Sequence, residues 1–427
     1  MKRILVLFPK EWDRIEFARP EYAREFEFVY AGFDLFRFPD NARLLGFDVF
    51  RFVNQVVARF RHERLDGVFS NNEYFGTLIA AVVAEKLGLP GNDPRVVLTA
   101  QHKFYARRAF AAIAPEASPR FAAFAYAVRR REQLPFELPC FVKPVKATFS
   151  VLSRRVDTFD ELRRHLAFWP FEKYLIKRLL KPYNDLAAWY ADFAIDAHHM
   201  IAEEILRGVQ VNLDGYVHGG RVTVLGVIDE NMYPGTSAFR SFEYPSRVPP
   251  QVQARMIELA ARVLGGIGYR HGFFNLELAW DPDSGQLRLI EINPRMASQL
   301  AYLYECVDGV SPYRMLFQLA VGEAPRGERG VPRFRHAASF ALRKFDGKPL
   351  GAHPTPDQIA RVRRDYPEAR LMLYLKRGAS LAREMKWLGS YRYAVVNMGA
   401  ASANDLHQRF HALRRQLFLE SDFAAGL

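Results

Sequence analysis

Phe273-Phe274-Asn275-Leu276-Glu277-Leu278-Ala279-Trp280 and, past a short turn, Leu287-Arg288-Leu289-Ile290-Glu291-Ile292-Asn293 are the two segments on which the fold turns. Side chains on a strand alternate faces, so Phe274, Leu276, Leu278 and Trp280 point one way while Asn275 and Glu277 point the other. On the second segment the same alternation puts Leu287, Leu289, Glu291 and Asn293 on one face and Ile290 and Ile292 on the opposite one. Asp281-Pro282-Asp283-Ser284-Gly285 joins them and is a strong turn sequence. Antiparallel pairing through that turn brings Glu277 opposite or nearly opposite Glu291 and Asn293. Two carboxylates facing one another repel unless a cation lies between them. Carboxylate and amide oxygens select Mg or Mn, and Mg in particular takes one or two carboxylates together with nucleotide phosphates. Arg295, two residues beyond Asn293, can reach the same side and contact a phosphoryl group or a developing oxyanion. The competing reading is a surface hairpin with ordinary solvated acids.

Working outward, Arg3 to Phe8 and Gly67 to Ser70 read as buried strands of a parallel α/β layer. The second runs through Asn71-Asn72-Glu73 into an apolar-periodic helix, Tyr74 to Leu87, closed by Gly88 and Pro90. Ligands of open parallel sheets bind beyond the carboxyl ends of the strands, which makes Glu73 a candidate substrate contact. No GxGxxG follows the first strand, so a dinucleotide-binding domain is disfavoured. Gln101 to Ile113 reads as a basic helix, Pro139 to Pro144 as a strand carrying Lys143, and Met200 to Leu206 as a strand carrying Glu203 and Glu204. Residues 170–195 are aromatic-rich and have no clear assignment. Strands and a final helix, Asn404 to Phe418, are expected after residue 335.

The 427 residues allow two to four domains. Two cysteines, neither in a CxxC pair, argue against a disulfide framework or a zinc site. The net charge of +13 is spread along the chain without a basic tract or a nucleic-acid signature, so nucleic acid is not an expected partner. No apolar stretch is long enough to span a bilayer, and the expectation is a cytoplasmic protein.

With these residues in place, the chain resembles the ATP-grasp superfamily, and within it the carboxylate-amine ligases, from about residue 65 to the end. Gly272 to Glu277 and Leu289-Ile290-Glu291-Ile292-Asn293-Pro294-Arg295 look like the family's strand glutamate and its Glu-x-Asn-Pro-Arg metal motif. Gly88-Leu89-Pro90-Gly91 followed by Lys103 resembles the entry to the grasp fold, and Phe141-Val142-Lys143-Pro144 the strand whose lysine meets the nucleotide. Ala202 to Leu206 followed by Gly208 resembles the hinge that holds adenine.

The resemblance implies a multidomain α/β and α+β protein: an N-terminal parallel domain over 1–95, an ATP-grasp domain with antiparallel sheets over 96–330 and a small α+β domain over 331–427. It implies ATP with Mg2+ (or Mn2+) held by Glu277, Glu291 and Asn293. Lys103, Lys143, Ser150, Glu203, Glu204, Ile205 and Leu206 would bind the nucleotide, and Arg295 would be catalytic. The implied reaction is ADP-forming ligation of a small carboxylate to an amine through an acyl phosphate. Arg240, Arg247 and His271 are candidates for recognising the acid. A bicarbonate-activating enzyme and a non-catalytic nucleotide-binding protein are the alternatives. Three departures stand out: His102 precedes the first lysine, Val145 to Ser153 contains no glycine, and Gln210 occupies a position where the family often has an acid.

Overall fold

The computed structural model describes residues 1–424 except Phe36, Phe38 and Phe149; the last falls within the glycine-free stretch Val145 to Ser153. Its strands form three sheets among the described residues. The first contains β1 (Lys2–Leu7), β2 (Phe26–Ala31) and β3 (Gly67–Phe69) in the order β2-β1-β3, all parallel. Ile4 and Val6 enter one core while Leu5 and Leu7 enter another, so β1 is covered on both faces. That explains its unbroken apolar run. The helix Gly76–Leu87 follows β3 and stops at Gly88, whose φ of 65° is the left-handed cap that glycine adopts at least cost.

The second sheet, in the order β4-β7-β5-β6, is built from β4 (Phe121–Ala125), β5 (Cys140–Pro144), β6 (Arg154–Val156) and β7 (His199–Glu203). All its pairings are antiparallel. The third is an eight-stranded antiparallel sheet comprising β8 (Val209–His218), β9 (Arg221–Met232), β10 (Phe239–Tyr244), β11 (Gly272–Trp280), β12 (Leu287–Asn293), β13 (His336–Lys344), β14 (Arg370–Leu373) and β15 (Tyr391–Ala400). Its order is β12-β11-β8-β9-β10-β13-β15-β14. Pairing of β10 with β13 carries the sheet through the expected boundary near residue 331. The tail thus shares a sheet with the β11–β12 hairpin while packing a core of its own under the helix Ala403–Leu417.

Several local expectations are corrected. The helix expected from Gln101 begins at Lys103, because Pro94–Gln101 forms a separate helix and the chain bends at His102, whose φ and ψ are extended. Residues 170–195, which had no clear assignment, contain a helix, Pro170–Tyr190, whose Ile176, Leu180, Tyr183 and Leu186 pack into the first core. Pro182 inside it obscured the periodicity. No helix among the described residues is long and apolar enough to cross a membrane.

Candidate active site

β11 and β12 pair antiparallel with Glu277 directly opposite Glu291 and Asn275 opposite Asn293. The shared face expected for Leu287, Leu289, Glu291 and Asn293 does not hold. The register shifts between Glu277 and Leu278, where Ile290 is the extra residue of a β-bulge. Below the bulge Leu287 and Leu289 enter the core; above it Ile292 does, joined by Leu276 and Leu278 from β11. The bulge therefore lets Glu291 and Asn293 project beside Glu277 even though the leucines two and four residues before Glu291 point the other way.

Asn293 Nδ2 lies 3.4 Å from both Glu277 Oε1 and Glu291 Oε1, so the three expected donors are together. Burial, reinforced by the charge of Glu291, pushes the Glu277 carboxyl up into the neutral range. Burial acts on Glu291 in the same sense, but the ammonium groups of Lys103 and Lys143 outweigh it and hold Glu291 below the usual carboxylate range. The two half-buried carboxyls thus differ widely in proton affinity, as like charges facing each other on neighbouring strands do when the cations lie nearer to one of them.

An asparagine network continues the polar face across the sheet. Asn293 Nδ2 donates to Asn275 Oδ1 (3.1 Å), and Asn275 Nδ2 donates to Asn212 Oδ1 (2.6 Å) and Asp214 Oδ1 (2.8 Å). Asn212 in turn donates to Glu230. Glu230 was not anticipated from the sequence. It is buried on β9, cross-strand from Gln210, and burial together with Glu277 and Glu291 pushes its carboxyl well above the ordinary range. Gln210 Nε2 sits 3.3 Å from Glu277 Oε2. An acid at position 210 would add a further negative charge between Glu230 and Glu277, which gives the departure there a physical reason.

The lysines arrive from other elements. Lys103, first residue of the helix Lys103–Ile113, places Nζ 3.1 Å from Glu291 Oε2 and 3.1 Å from the Ala147 carbonyl. Lys143 on β5 lies 2.8 Å from Glu203 Oε2, and Arg107 Nε lies 2.5 Å from Glu203 Oε1, with all three side chains buried. Burial favours a neutral Glu203, but Arg107 and Lys143 together hold it below the usual carboxylate range. Its side chain thus anchors Lys143 and Arg107 at the end of β7. Glu204 turns outward, 3.4 Å from Arg120. Ile205 and Leu206 are half-buried in the link to β8, which turns at Gly208 with φ 92°. Ser150 is exposed in the loop after β5, with φ 55°.

Arg295 Nε lies 2.9 Å from Glu73 Oε2, so the residue beyond the metal motif meets the loop at the end of β3. Gln101 Nε2 donates to Glu73 Oε1 at 3.1 Å. Of the other candidates, Arg247 is tied to Asp229 at 3.0 Å and His271 donates to the Leu319 carbonyl at 2.7 Å. Arg240 lies on β10.

Residues 136–302 match the family model described as an ATP-grasp domain. The chain carries an ATP-grasp domain. Among curated proteins, carnosine synthase 1 of Gallus gallus is 30% identical over 181 residues, covering 38% of this chain and 18% of that one. The chain spans less than a fifth of the length of the curated relatives it matches. Solved structures share the fold over nearly all of the chain. L-amino acid ligase from Bacillus licheniformis aligns over 98% of both chains with a TM-score of 0.71 at 19% identity. N5-carboxyaminoimidazole synthase from Aspergillus clavatus aligns over 97% of this chain and 98% of that one, with a TM-score of 0.66 at 14% identity.

Proposed function

We propose that the protein is an ADP-forming ligase that joins a carboxylic acid to an amine, or to a similar nucleophile, through an acyl phosphate. The observation that carries this reading is the convergence of Glu277, Glu291 and Asn293 with Lys103 at one end of a buried polar face, within reach of the Arg295–Glu73 pair. Among the described residues no group of three or more His, Cys, Asp or Glu side chains is placed to hold a metal by itself. Two carboxylates and an amide suit Mg2+, which prefers to complete its shell with phosphate oxygens and water. Mg2+ bound there would neutralise charge on the β- and γ-phosphates of ATP.

The remaining work falls to the chain itself. Lys103 and Lys143 supply positive charge to the phosphates, and Glu203 with Arg107 fixes the position of Lys143. Ile205 and Leu206 offer an apolar slot and backbone groups for adenine. Arg295 orients the acid and takes up charge on the oxygen of the tetrahedral intermediate. Glu73 and Arg295 offer one anion and one cation side by side, which suits an amino acid as the acid substrate. The L-amino acid ligase among the similar structures supports the same class.

A screen of ADP release from Mg-ATP tests the reading. Turnover that requires both an amino acid and an amine bears it out. Stimulation by bicarbonate alone points to the carboxylating alternative, and nucleotide binding without turnover across a broad panel overturns the ligase assignment.

A further inference from the structure

The stretch after Lys143 contains no glycine, and much of its backbone is already in use. Val145 N–H donates to the His199 carbonyl at 3.0 Å, and the Val145 carbonyl accepts from Lys103 N–H at 2.8 Å. The Ala147 carbonyl accepts from Lys103 Nζ, and Leu152 N–H donates to the Trp387 carbonyl at 2.9 Å. A segment fastened at these points is poorly suited to wrapping phosphate in free amide groups, as a glycine-rich loop does.

One of its side chains turns inward instead. Lys146 is 3% exposed, with Nζ 2.9 Å from the Glu73 carbonyl oxygen, 3.8 Å from Glu73 Oε1 and 5.2 Å from the centre of the Tyr183 ring. The next residue, Ala147, holds Lys103, whose ammonium meets Glu291. The other oxygen of Glu73 meets Arg295. Lys146 thus touches Glu73 of the Glu73–Arg295 pair directly, and its chain neighbour Ala147 holds the lysine of the Lys103–Glu291 pair. A buried ammonium is costly, and its three donors are incompletely matched by one carbonyl and a carboxylate at 3.8 Å.

We infer that Lys146 is a catalytic residue that contacts the γ-phosphoryl group as it passes from ATP to the acid, replacing with one side chain the charge that a glycine-rich loop supplies with backbone amides. The inference rests on the ligase reading above. In the transfer, a carboxylate oxygen of the acid bonds to the γ-phosphorus. The bond from phosphorus to the β,γ-bridging oxygen breaks, and its electron pair leaves with ADP. Lys146 keeps its proton throughout and donates a hydrogen bond to a non-bridging oxygen. A compact ammonium on a flexible stem can follow that oxygen across the step.

The test uses the wild-type protein and competitive labelling of lysines by an amine-reactive acylating reagent, read by mass spectrometry. With Mg2+ and the β,γ-imido analogue of ATP, Lys146 is labelled at least about tenfold more slowly than with Mg-ADP, whereas Lys103 and Lys143 are protected by both. Equal labelling of Lys146 under the two conditions, with Lys103 and Lys143 protected, overturns the inference and leaves the ligase reading standing. If neither nucleotide protects any of the three, both fall. A second arm compares Lys146→Met with Lys146→Arg. Met should lower kcat for ADP release by roughly 10²-fold or more with KM for ATP within about threefold, and Arg should restore part of the loss. A folded Lys146→Met protein with unchanged kcat overturns the assignment, and if that variant does not fold the labelling result decides.

Discussion

Glu277 and Glu291 face each other across neighbouring strands, and Lys103 contacts only the second, at 3.1 Å. That asymmetry holds the Glu291 carboxyl below the usual carboxylate range and the Glu277 carboxyl above it, and makes Glu291 the negative charge at the proposed metal position. Glu291→Ala removes it and leaves Lys103 with the Ala147 carbonyl but no carboxylate. ADP release should fall roughly 10³-fold, while the thermal midpoint moves little, since the Lys103–Glu291 pair keeps contact with water and such pairs add little stability. Retained turnover in a folded variant would sink the metal assignment.

Glu203 is the clasp between Arg107 and Lys143. Removing its carboxylate strands two cations in a site that water does not reach, so Glu203→Ala should cost about 3–5 kcal/mol of stability, measured by urea denaturation. A cost under about 1 kcal/mol would mean that water enters the site freely.

His102 has no exposed surface and lies among the rings of Tyr105, Phe193 and Tyr183. Burial, the largest cause, pulls its imidazolium down from 6.5 to about 4. The unfolded chain therefore binds the proton first as the solution is acidified. His102 imposes no penalty above pH ~6.5, and one that grows to about 3 kcal/mol as the pH falls to ~4. Denaturant midpoints across this window should decline less steeply in His102→Phe than in the wild type. Identical slopes would show that the imidazole protonates without unfolding.

Gly208 closes the link between Leu206 and β8 with φ 92°, and a Cβ there would meet the Trp280 carbonyl oxygen at 2.1 Å. Both the backbone conformation and the space exclude a side chain. Gly208→Ala should cost roughly 1–3 kcal/mol and, by shifting Ile205 and Leu206, raise KM for ATP more than it lowers kcat. Unchanged stability and unchanged KM together would remove the link from the nucleotide site.

The parts of this protein legible in its sequence are those that short-range geometry determines. Alternation along Phe273 to Trp280 separated Leu276 and Leu278 from Glu277, and the Asp281 to Gly285 turn brought Glu291 and Asn293 back towards it. The unbroken apolar run of β1 identified a strand covered on both sides, and Gly88 marked a helix end. Each of these signals is carried by residues within a few positions of one another, where the period of a strand or the φ of a glycine leaves little choice.

Tertiary structure decided everything that depends on which distant segment packs against which. The bulge at Ile290 restored Glu291 and Asn293 to the right face although simple alternation grouped them with the wrong leucines, because register is settled by the partner strand and the core beneath it. Glu203 became an anchor for Lys143 only because Arg107, almost a hundred residues earlier, is buried against it. Glu230 joined the site through its cross-strand position beside Gln210, and Lys146 turned inward because Glu73 and Tyr183 are there to receive it. A charged side chain carries no periodic mark of its destination; its place is set by the long-range contacts that pair it once water has been excluded.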